Sequence, residues 1–417
     1  MSTSADLSGI SWVRLSFVDV LGTSHSMQLP ASRFAEAAEA GEPFDGSSLE
    51  GRARLIETDM RLRPDPNTLV RLGDGLARVV CDVLTNDGGP WPGDPRTALG
   101  LVVEAAGDLG QGYAVSAELE FYLLDPTGEP VDGAGYFGEA ESAGMAVVRA
   151  AADALASAGI ATDSLHHEAG PGQYEIDLAP LPPVAIADAV VLAKELVRGA
   201  ASEAGLLATF MPRPLPAEAG SGMHLHQRIG VPLLGEDGTL GDIGRSFLAG
   251  QLEHARGLCA LAAPTVNSYK RLHSGAEAPS AVVWAHVNRG ALLRLSPDGA
   301  EGATLEYRAA DPSANPYLLL AGLLAAGADG LASGIELPPA FEEEIGSFDP
   351  AAIDSARAEP LPRDLDEALG ALIADDLLVD AFDQQLLSRL IDGRRAEAAE
   401  YRAQVTPWEL ERYLEEA

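Results

Sequence analysis

The chain has 417 residues, with 63 Asp and Glu against 28 Lys and Arg, and its formal net charge is −35. This charge would repel a phosphate backbone, which makes nucleic acid a poor partner. The length is sufficient for more than one domain with a large core, and a hydrophobic fraction of 47% is typical of a globular protein rather than a disordered one.

The sequence also predicts where the protein is found. Only two cysteines are present, too few for a disulfide framework, as is typical of a reducing compartment. The N-terminal residues have neither the basic nor the apolar segment of a secretory signal. The longest charge-free apolar run, at 317–328, is shorter than the roughly 20 residues that cross a bilayer. We therefore expect a cytoplasmic protein without a membrane span.

The first 93 residues predict a small β-rich domain. Residues 12–20, 26–29 and 77–84 are strand-like, a short helix is expected near 32–40, and Phe44-Asp-Gly-Ser-Ser48 favours a turn. The segment 88–93 is rich in Gly and Pro, as linkers often are. We place the domain boundary there, giving domains 1–93 and 94–417.

The second domain alternates helices with strands. Asp94 and Pro95 form a helix N-cap and first helical residue, and this helix is expected to end near Gly110. Further helices are predicted at 140–158, 185–204, 242–262 and 312–331 and in the tail from residue 365, whereas 166–172 is interpreted as a loop. The chain is therefore assigned to the α+β class.

One strand of this domain combines a core face with a chemically active face. In 115–124, four apolar residues alternate with Ser116, Glu118, Glu120 and Tyr122. The same alternation recurs in 173–178, 223–229 and 304–308, where the polar positions hold Glu, Asp, Thr, His or Arg. Four such strands predict a curved antiparallel sheet that packs on helices outside and encloses a polar binding chamber.

The inward-facing residues predict a divalent-metal site. The candidates are five carboxylates and one imidazole: Glu118, Glu120, Glu168, Glu175, His224 and Glu306. This donor set suits Mg²⁺ or Mn²⁺, and five negative charges need about two divalent ions. Arginines on or near these strands can stabilise phosphate or carboxylate oxygens: Arg228, Arg289, Arg294 and Arg308. This chemistry indicates metal-dependent phosphoryl transfer to a small anion, with metal-assisted hydrolysis as the alternative.

Seven blocks, in order, resemble the signature motifs of the glutamine synthetase family, in its bacterial type I-like form. They are Glu118-Leu-Glu120, His167-Glu-Ala-Gly-Pro-Gly-Gln-Tyr-Glu175, Gly220-Ser-Gly-Met-His-Leu-His-Gln227, Asn267-Ser-Tyr-Lys-Arg271, Asn288-Arg289, Glu306-Tyr-Arg308 and Asp311-Pro-Ser-Ala-Asn-Pro-Tyr317. The resemblance extends from about residue 13 to residue 413. It implies a β-grasp-like N-terminal domain and a large catalytic domain.

The resemblance also implies an activity and its cofactors. ATP would phosphorylate the side-chain carboxylate of glutamate, and ammonia or an amine would then displace phosphate, with Mg²⁺ or Mn²⁺ bound. By match, one metal has ligands Glu120, Glu168 and Glu175, and the second has Glu118, His224 and Glu306. The assembly expected from the resemblance is a dodecamer of two stacked hexameric rings.

Further roles are implied for residues around the metals. Arg271 corresponds to the arginine that binds the glutamate α-carboxylate, Gly220 to the backbone near its amino group, and Arg289 and Arg308 to contacts with the reacting carboxylate and transferred phosphate. Arg294 and His226 are assigned to the nucleotide phosphates, although His226 is also interpreted as a buried histidine that supports the site.

The nucleophile would bind at an ammonium site. Its residues by match are Asp45 from the N-terminal domain of a neighbouring subunit, the flap residue Glu277, and Tyr136. Carboxylates at such a site attract the ammonium ion and accept its proton, because only a neutral amine can attack.

Four positions depart from the family pattern. Ala219 replaces an asparagine near the substrate amino group, Arg228 replaces a small hydroxyl residue, and Glu301 and Thr304 stand near positions that are usually basic. These departures leave two acceptors open, ammonia and a specific organic amine, and two kinds of acid, glutamate and an analogue of it. A second hypothesis is a catalytically silent member with a structural or regulatory role.

Overall fold

The computed structural model describes residues 6–51, 59–138, 142–235, 237–273, 278–298, 302–343 and 358–415. The N-terminal domain is a β-grasp domain whose sheet has the order β2-β1-β6-β4-β3, with β5 paired to β6. Strands β1 and β6 are parallel, and the other pairs are antiparallel. The elements are β1 (Trp12–Val18), β2 (Ser24–Pro30), α1 (Phe34–Ala40), β3 (Glu42–Asp45), β4 (Asp59–Pro64), β5 (Val70–Gly73) and β6 (Leu76–Thr85).

The second domain is built on an eight-stranded sheet with the order β12-β13-β14-β11-β7-β9-β8, and β10 pairs with β7. The strands are β7 (Tyr113–Leu124), β8 (Thr162–His167), β9 (Gln173–Leu181), β10 (Leu207–Thr209), β11 (Met223–Ile229), β12 (Trp284–Ala285), β13 (Leu293–Asp298) and β14 (Gly302–Tyr307). The predicted antiparallel pairing is correct for every pair except β12 with β13, which is parallel, so the sheet is mixed.

Helices cover the apolar face of this sheet. The helices of this domain are α2 (Pro95–Ala105), α3 (Asp108–Gly112), α4 (Ala143–Ser157), α5 (Pro183–Glu203), α6 (Asp242–Glu253), α7 (Ala255–Ala262), α8 (Ser268–Leu272), α9 (Pro316–Ser333), α10 (Leu365–Ala374), α11 (Asp376–Asp380), α12 (Gln384–Arg402) and α13 (Pro407–Tyr413). Helix α9 is long and apolar enough to cross a membrane, but about two-thirds of it is buried inside the protein, against α2, α5 and α6. It is the central core helix.

Two of the predicted helices are each interrupted and form two shorter helices in the structure. The Asp94 carboxylate caps α2 by accepting from the Arg96 amide at 3.2 Å, as predicted, but the helix is interrupted at Gly107, whose φ of 56° suits glycine. The predicted helix 242–262 is divided into α6 and α7 at His254. The imidazole of His254 lies 2.8 Å from Asp375 and 3.2 Å from Asp329, and these long-range contacts have no local sequence signal.

The alternation of the four polar strands is confirmed. On β7, Leu119 and Phe121 lie in the core shared with the helices, and Met223 on β11 joins them. The opposite face of the same strands carries the carboxylates, imidazoles and guanidinium groups. Strand pairing therefore brings the polar residues together on one face of the sheet.

The two domains are connected by ionic contacts. Arg96 on α2 forms ion pairs with Asp65 and Asp82 of the first domain and with Asp188 on α5, at 2.9, 2.6 and 3.0 Å. Arg78 of β6 binds Glu195 on α5 at 2.9 Å. These contacts fix the first domain against the helical side of the second.

Candidate active site

The register of the sheet determines which polar side chains meet. Glu118 lies opposite His224 across β7 and β11, and Glu120 lies opposite Glu175 across β7 and β9. His226 lies opposite Glu306 across β11 and β14. Directly opposed residues have Cβ atoms roughly 5 Å apart, close enough for shared ligands. The six residues thus form two adjoining groups on one surface.

The first group surrounds Glu118. Its two carboxylate oxygens lie 2.9 Å from His224 Nδ1 and 2.8 Å from His226 Nε2. The other ring nitrogen of His226 is 3.0 Å from the Thr304 hydroxyl, which fixes the orientation of the ring. Burial alone would raise the pKa of Glu118, but the hydrogen bonds from the two imidazoles outweigh burial and hold the pKa far below its ordinary value. Glu118 is therefore a carboxylate in the folded protein.

Glu306 connects the first group to two arginines. It is fully buried and pairs with Arg294, at 2.6 Å, and with Arg308. Burial favours the neutral acid, yet the Arg308 guanidinium and the neighbouring imidazoles lower the pKa of Glu306 below its usual range. The result is an ionised carboxylate beside two cationic groups that can contact phosphate oxygens.

The second group lies where β8 and β9 meet. His166 Nε2 is 3.0 Å from Glu175 Oε1, and His166 Nδ1 is 3.4 Å from Glu168 Oε1. Glu120 lies next to them, where it accepts from the Gly222 amide at 2.8 Å and from the Gln173 side chain at 3.2 Å. Its other oxygen is 3.9 Å from His224, so Glu120 links the two groups.

The electrostatics of the second group fit a bound cation. Burial, followed by repulsion from Glu120 and Glu118, raises the pKa of Glu175 to about 12. A divalent ion would offset both effects, because it replaces lost hydration and neutralises neighbouring carboxylates. The oxygen and imidazole donors match those that Mg²⁺ and Mn²⁺ accept.

The tightest donor sets differ from the predicted ligand sets by one residue each. Within the described ranges, donor atoms lie within 4.8 Å of one another in two triads, Glu118–His226–Glu306 and His166–Glu168–Glu175. The prediction has His224 in place of His226, and Glu120 in place of His166. Both predicted residues are adjacent to their groups, at the distances given above. The assignment of ligands stays a prediction.

A cavity of about 310 Å³ opens beside the two groups. Its walls include residues from the strands, from α8 and from the segment before β11: Glu120, Glu168, Gln173, Arg213, Glu218, Ala219, Gly220, His224, Arg271 and Arg308. Arg271 is buried and donates to the carbonyls of residues 308, 309 and 310 at 2.9–3.1 Å. Gly220 has no room for a side chain, because a Cβ would lie 2.6 Å from the Arg271 side chain.

Tyr136 lies at the edge of the second group. Its ring contacts Phe137 and His166, with centroids 4.2 and 5.7 Å away, and its hydroxyl hydrogen-bonds with Arg289. Phe137 has a φ of 56°, a backbone conformation that bulky residues rarely adopt. Arg308 Nε donates to the Arg289 carbonyl at 2.7 Å, which connects this loop to the first group.

Of the two predicted acids of the ammonium site, only Asp45 lies within the described residues. Asp45 ends β3 in the N-terminal domain, is exposed and accepts from the Ser47 amide at 2.9 Å. Hydrogen bonds from Ser47 hold the pKa of Asp45 below its ordinary value. Glu277 lies outside the described residues, as does Glu301.

Three departures from the family pattern have defined contacts. The carbonyl of Ala219 accepts from the Tyr122 hydroxyl at 2.6 Å, and Thr304 contacts His226 as described above. Arg228 lies 3.4 Å from the Ser116 hydroxyl.

Sequence reasoning gave His166 at most the role of orienting Glu168 from a loop, and it missed Gln173. Residues 166 and 167 were interpreted as a loop, but they end β8, and His166 lies opposite Glu175. The available signal was the alternation of Ser164 with His166. Gln173 donates to Glu120 and to the Gly220 carbonyl at 3.1 Å, so it joins the metal side of the cavity to its substrate side.

Comparisons with known proteins agree with this geometry. The model of the glutamine synthetase β-grasp domain matches residues 9–86, and that of the glutamine synthetase catalytic domain matches residues 92–413. The chain is 38% identical to a glutamine synthetase of Halobacterium salinarum, over 98% of this chain and 94% of that one. The chain belongs to the glutamine synthetase family.

Other relatives cover similar lengths. The glutamine synthetase of Mycobacterium tuberculosis is 38% identical over 97% of this chain and 96% of its own. A solved structure titled "Apo GmaS without ligand" superposes with a TM-score of 0.88 at 29% identity and covers both chains fully. Plasmodium falciparum glutamine synthetase, at 21% identity and a TM-score of 0.85 over 98% of this chain and 96% of its own, shares the fold.

Family membership establishes the class of enzyme. The protein is an ATP-dependent ligase that forms C–N bonds, of the glutamate–ammonia or glutamate–amine type, and the family uses ATP and divalent metals. This result favours the enzyme over the catalytically silent assembly.

Proposed function

We propose that the protein joins the γ-carboxylate of glutamate to ammonia or a small primary amine, through a γ-glutamyl phosphate. The observation that carries this proposal is the pair of adjoining acid–imidazole groups on β7, β8, β9, β11 and β14, with Arg294 and Arg308 beside Glu306. Carboxylates on a solvated surface would have no need to lie opposite one another across neighbouring strands in a buried site. The binding of two divalent ions and a phosphoryl group does need such an arrangement.

The metal ligands in this proposal come from both groups. We assign Glu120, Glu168 and Glu175 to one ion and Glu118, His224 and Glu306 to the other, with His166 and His226 close enough to orient or replace a ligand. When bound, the ions supply positive charge that neutralises nucleotide phosphate oxygens. Either Mg²⁺ or Mn²⁺ suits these donors.

The chain's own residues have distinct tasks in the reaction. Arg308 and Arg289 stabilise the reacting carboxylate and the transferred phosphoryl group, and Arg294 and His226 face the nucleotide phosphates. Arg271 and Gly220 contact the amino-acid end of glutamate. The positions of Arg271, Gly220 and Arg308 in the cavity wall support these assignments, as do the contacts of Arg294 with Glu306 and of His226 with Glu118.

The nucleophile in this proposal is deprotonated by carboxylates. Asp45 of a neighbouring subunit attracts the ammonium form, Glu277 accepts its proton, and Tyr136 forms the wall of this site. Exclusion of water by a closing segment would protect the acyl phosphate.

The finer organisation belongs to the same proposal. We expect a cytoplasmic homododecamer of two hexameric rings, as the family resemblance implies. Asp45 is exposed and lies in a different domain from the metal groups, which fits its contribution to the site of a neighbouring subunit. We also place the boundary between the two domains at residue 93, in the Gly/Pro-rich segment that precedes the Asp94 cap.

A coupled assay tests the proposal. Phosphate release from ATP is measured with Mg²⁺ or Mn²⁺ and glutamate, across ammonia and a panel of primary amines, and the amide product is identified by mass. Turnover with ammonia equal to that with the best amine identifies a glutamine synthetase. Turnover with an organic amine alone identifies a γ-glutamyl amide synthetase. No amide product with any acceptor would refute the proposal.

A further inference from the structure

One carboxylate of the segment that follows α9 accepts hydrogen bonds from three consecutive backbone amides. Glu342 Oε1 accepts from the His286 amide at 2.8 Å. Glu342 Oε2 accepts from the Val287 amide at 3.0 Å and from the Asn288 amide at 3.3 Å. Successive N–H groups that point at one place form a concavity that binds an anion, and here the anion is the protein's own carboxylate.

Glu342 is ionised in the folded protein. Burial alone would raise its pKa, but the hydrogen bonds from the backbone amides and from the His286 ring, whose Nδ1 lies 2.9 Å away, outweigh burial and lower the pKa of Glu342 to about 2. A hydrogen bond to a charged acceptor is about twice as strong as a neutral one. A glutamine at this position would instead bring its NH₂ group, which only donates, toward the backbone N–H groups.

Further hydrogen bonds fasten the segment after α9 to the chain that follows β12. The Trp284 indole donates to the Pro338 carbonyl at 2.8 Å, and the Phe341 amide donates to the Trp284 carbonyl at 2.8 Å. The side-chain amide of Asn288 donates to the Phe341 and Glu343 carbonyls, at 3.3 and 2.7 Å. The two stretches of chain are therefore held side by side as far as Asn288.

The turn that Glu342 binds leads directly to two arginines of the active site. Arg289 follows Asn288, and its side chain hydrogen-bonds with the Tyr136 hydroxyl. Its carbonyl accepts from Arg308 Nε at 2.7 Å. A shift of this turn would therefore move the Arg289 side chain and remove the support of the Arg308 guanidinium group.

We propose that Glu342 is a positioning residue that holds Arg289 in place for phosphoryl transfer. This inference rests on the proposed function, in which Arg289 stabilises the reacting carboxylate and the transferred phosphoryl group, and it deepens that function. Within the described part of the chain, the hydrogen-bond partners of Glu342 all lie in 286–288, so Glu342 acts through the backbone. A misplacement of about 1 Å in a group that contacts the transition state can cost about a hundredfold in rate.

The first test compares the kinetics of Glu342→Gln and the wild type with glutamate, ATP and the best acceptor amine. We expect kcat to fall roughly ten- to a hundredfold, with the loss in kcat rather than in the KM for ATP. The Mn²⁺-dependent rise of the unfolding midpoint should not change, because Glu342 does not contact the metal groups. Glu342→Asp, which keeps the charge but is one methylene shorter, should retain more of kcat than Glu342→Gln.

The second test asks whether Glu342 acts through Arg289. Arg289→Lys keeps a positive charge but replaces the planar fork with a point charge on a flexible stem, whose contact depends less on the position of the turn. In this background, Glu342→Gln should lower kcat by less than about threefold, because residues that act through one contact are not additive. A carboxylate that only stabilised the fold would lower kcat by the same factor in both backgrounds.

The matched control is Glu343→Gln, which makes the same change in net charge one residue further along, where the backbone carbonyl rather than the side chain contacts Asn288. It should leave kcat unchanged. Wild-type kcat in Glu342→Gln, an equal loss in Glu343→Gln, or equal losses in both Arg289 backgrounds would overturn this inference and leave the proposed function standing. Failure of the wild-type enzyme with every acceptor would overturn the proposed function and this inference with it.

Discussion

Removal of the Glu118 charge should weaken metal binding and so reduce the stabilisation that bound metal gives to the folded protein. Glu118 contacts both imidazoles of the first group at 2.8–2.9 Å. Glutamine would keep the shape of the side chain but remove the negative charge of the carboxylate that we assign as a metal ligand. Loss of a residue that only orients a ligand typically lowers metal affinity 10- to 100-fold, so a direct ligand should reach the upper end of that range.

The magnitude follows from binding linkage. At Mn²⁺ a hundredfold above the dissociation constant, one site stabilises the wild-type protein by about 2.7 kcal/mol. After a hundredfold loss of affinity, the same concentration gives only ~0.4 kcal/mol. Across a Mn²⁺ titration, the unfolding midpoint should therefore rise less in Glu118→Gln than in the wild type, by the equivalent of about 2.3 kcal/mol at this concentration, because the ion of the second group stabilises both proteins.

The control for this experiment is Glu104→Gln, at an exposed position of α2. It should retain the wild-type response to Mn²⁺. If Glu118→Gln responded to Mn²⁺ as the wild type does, Glu118 would not be a metal ligand, and the assignment of the first group would be wrong.

Three further predictions concern stability. Arg96→Gln should cost about 3 kcal/mol by urea unfolding, because it removes the cation that Asp65, Asp82 and Asp188 share at a mostly buried contact. Arg63→Gln, which breaks only an exposed ion pair with Asp82, should cost less than about 1 kcal/mol; equal costs would contradict this. Burial lowers the pKa of His254, but its two aspartate partners outweigh burial and raise it. The stabilisation from His254 is therefore complete below the unfolded-state pKa of about 6.5 and is lost as the pH rises through the higher folded-state pKa. The difference in unfolding free energy between wild type and His254→Gln should be larger at pH 6 than at pH 9. A difference independent of pH would refute this. Gly250→Ala should destabilise the protein by about 1–3 kcal/mol or more, since the added methyl group on α6 would overlap the Ala326 carbonyl of α9. The control, Gly199→Ala on α5, places its methyl group in open space and should stabilise the protein by about 0.5–1 kcal/mol. A Gly250→Ala variant as stable as the wild type would show that α6 and α9 can move apart.

Local patterns predicted much of the fold. The alternation in 115–124 identified the core face of β7 and its polar face, since side chains on a strand alternate with a period of two. Asp94 and Pro95 marked the start of α2 because capping chemistry is local.

Contacts that depend on register were not predictable from these patterns. Whether His224 or His226 approaches Glu306 depends on how β11 pairs with β14, which no short segment specifies. The same holds for His166 opposite Glu175, and for the break at His254, whose aspartate partners lie far away in the sequence. The parallel pair β12–β13 depends on a connection between two short strands and also lacked a local signal.

The central claim is that ATP activates the side-chain carboxylate of glutamate as an acyl phosphate. The most direct measurement uses L-glutamate labelled with ¹⁸O in the γ-carboxylate, together with ATP, Mg²⁺ and the best acceptor amine. Displacement of phosphate from a γ-glutamyl phosphate transfers one labelled oxygen to each phosphate released, so mass spectrometry should find singly labelled phosphate in equal amount to the amide product. Unlabelled phosphate would mean that ATP is hydrolysed by water, and the account of this site as a γ-glutamyl ligase would be contradicted.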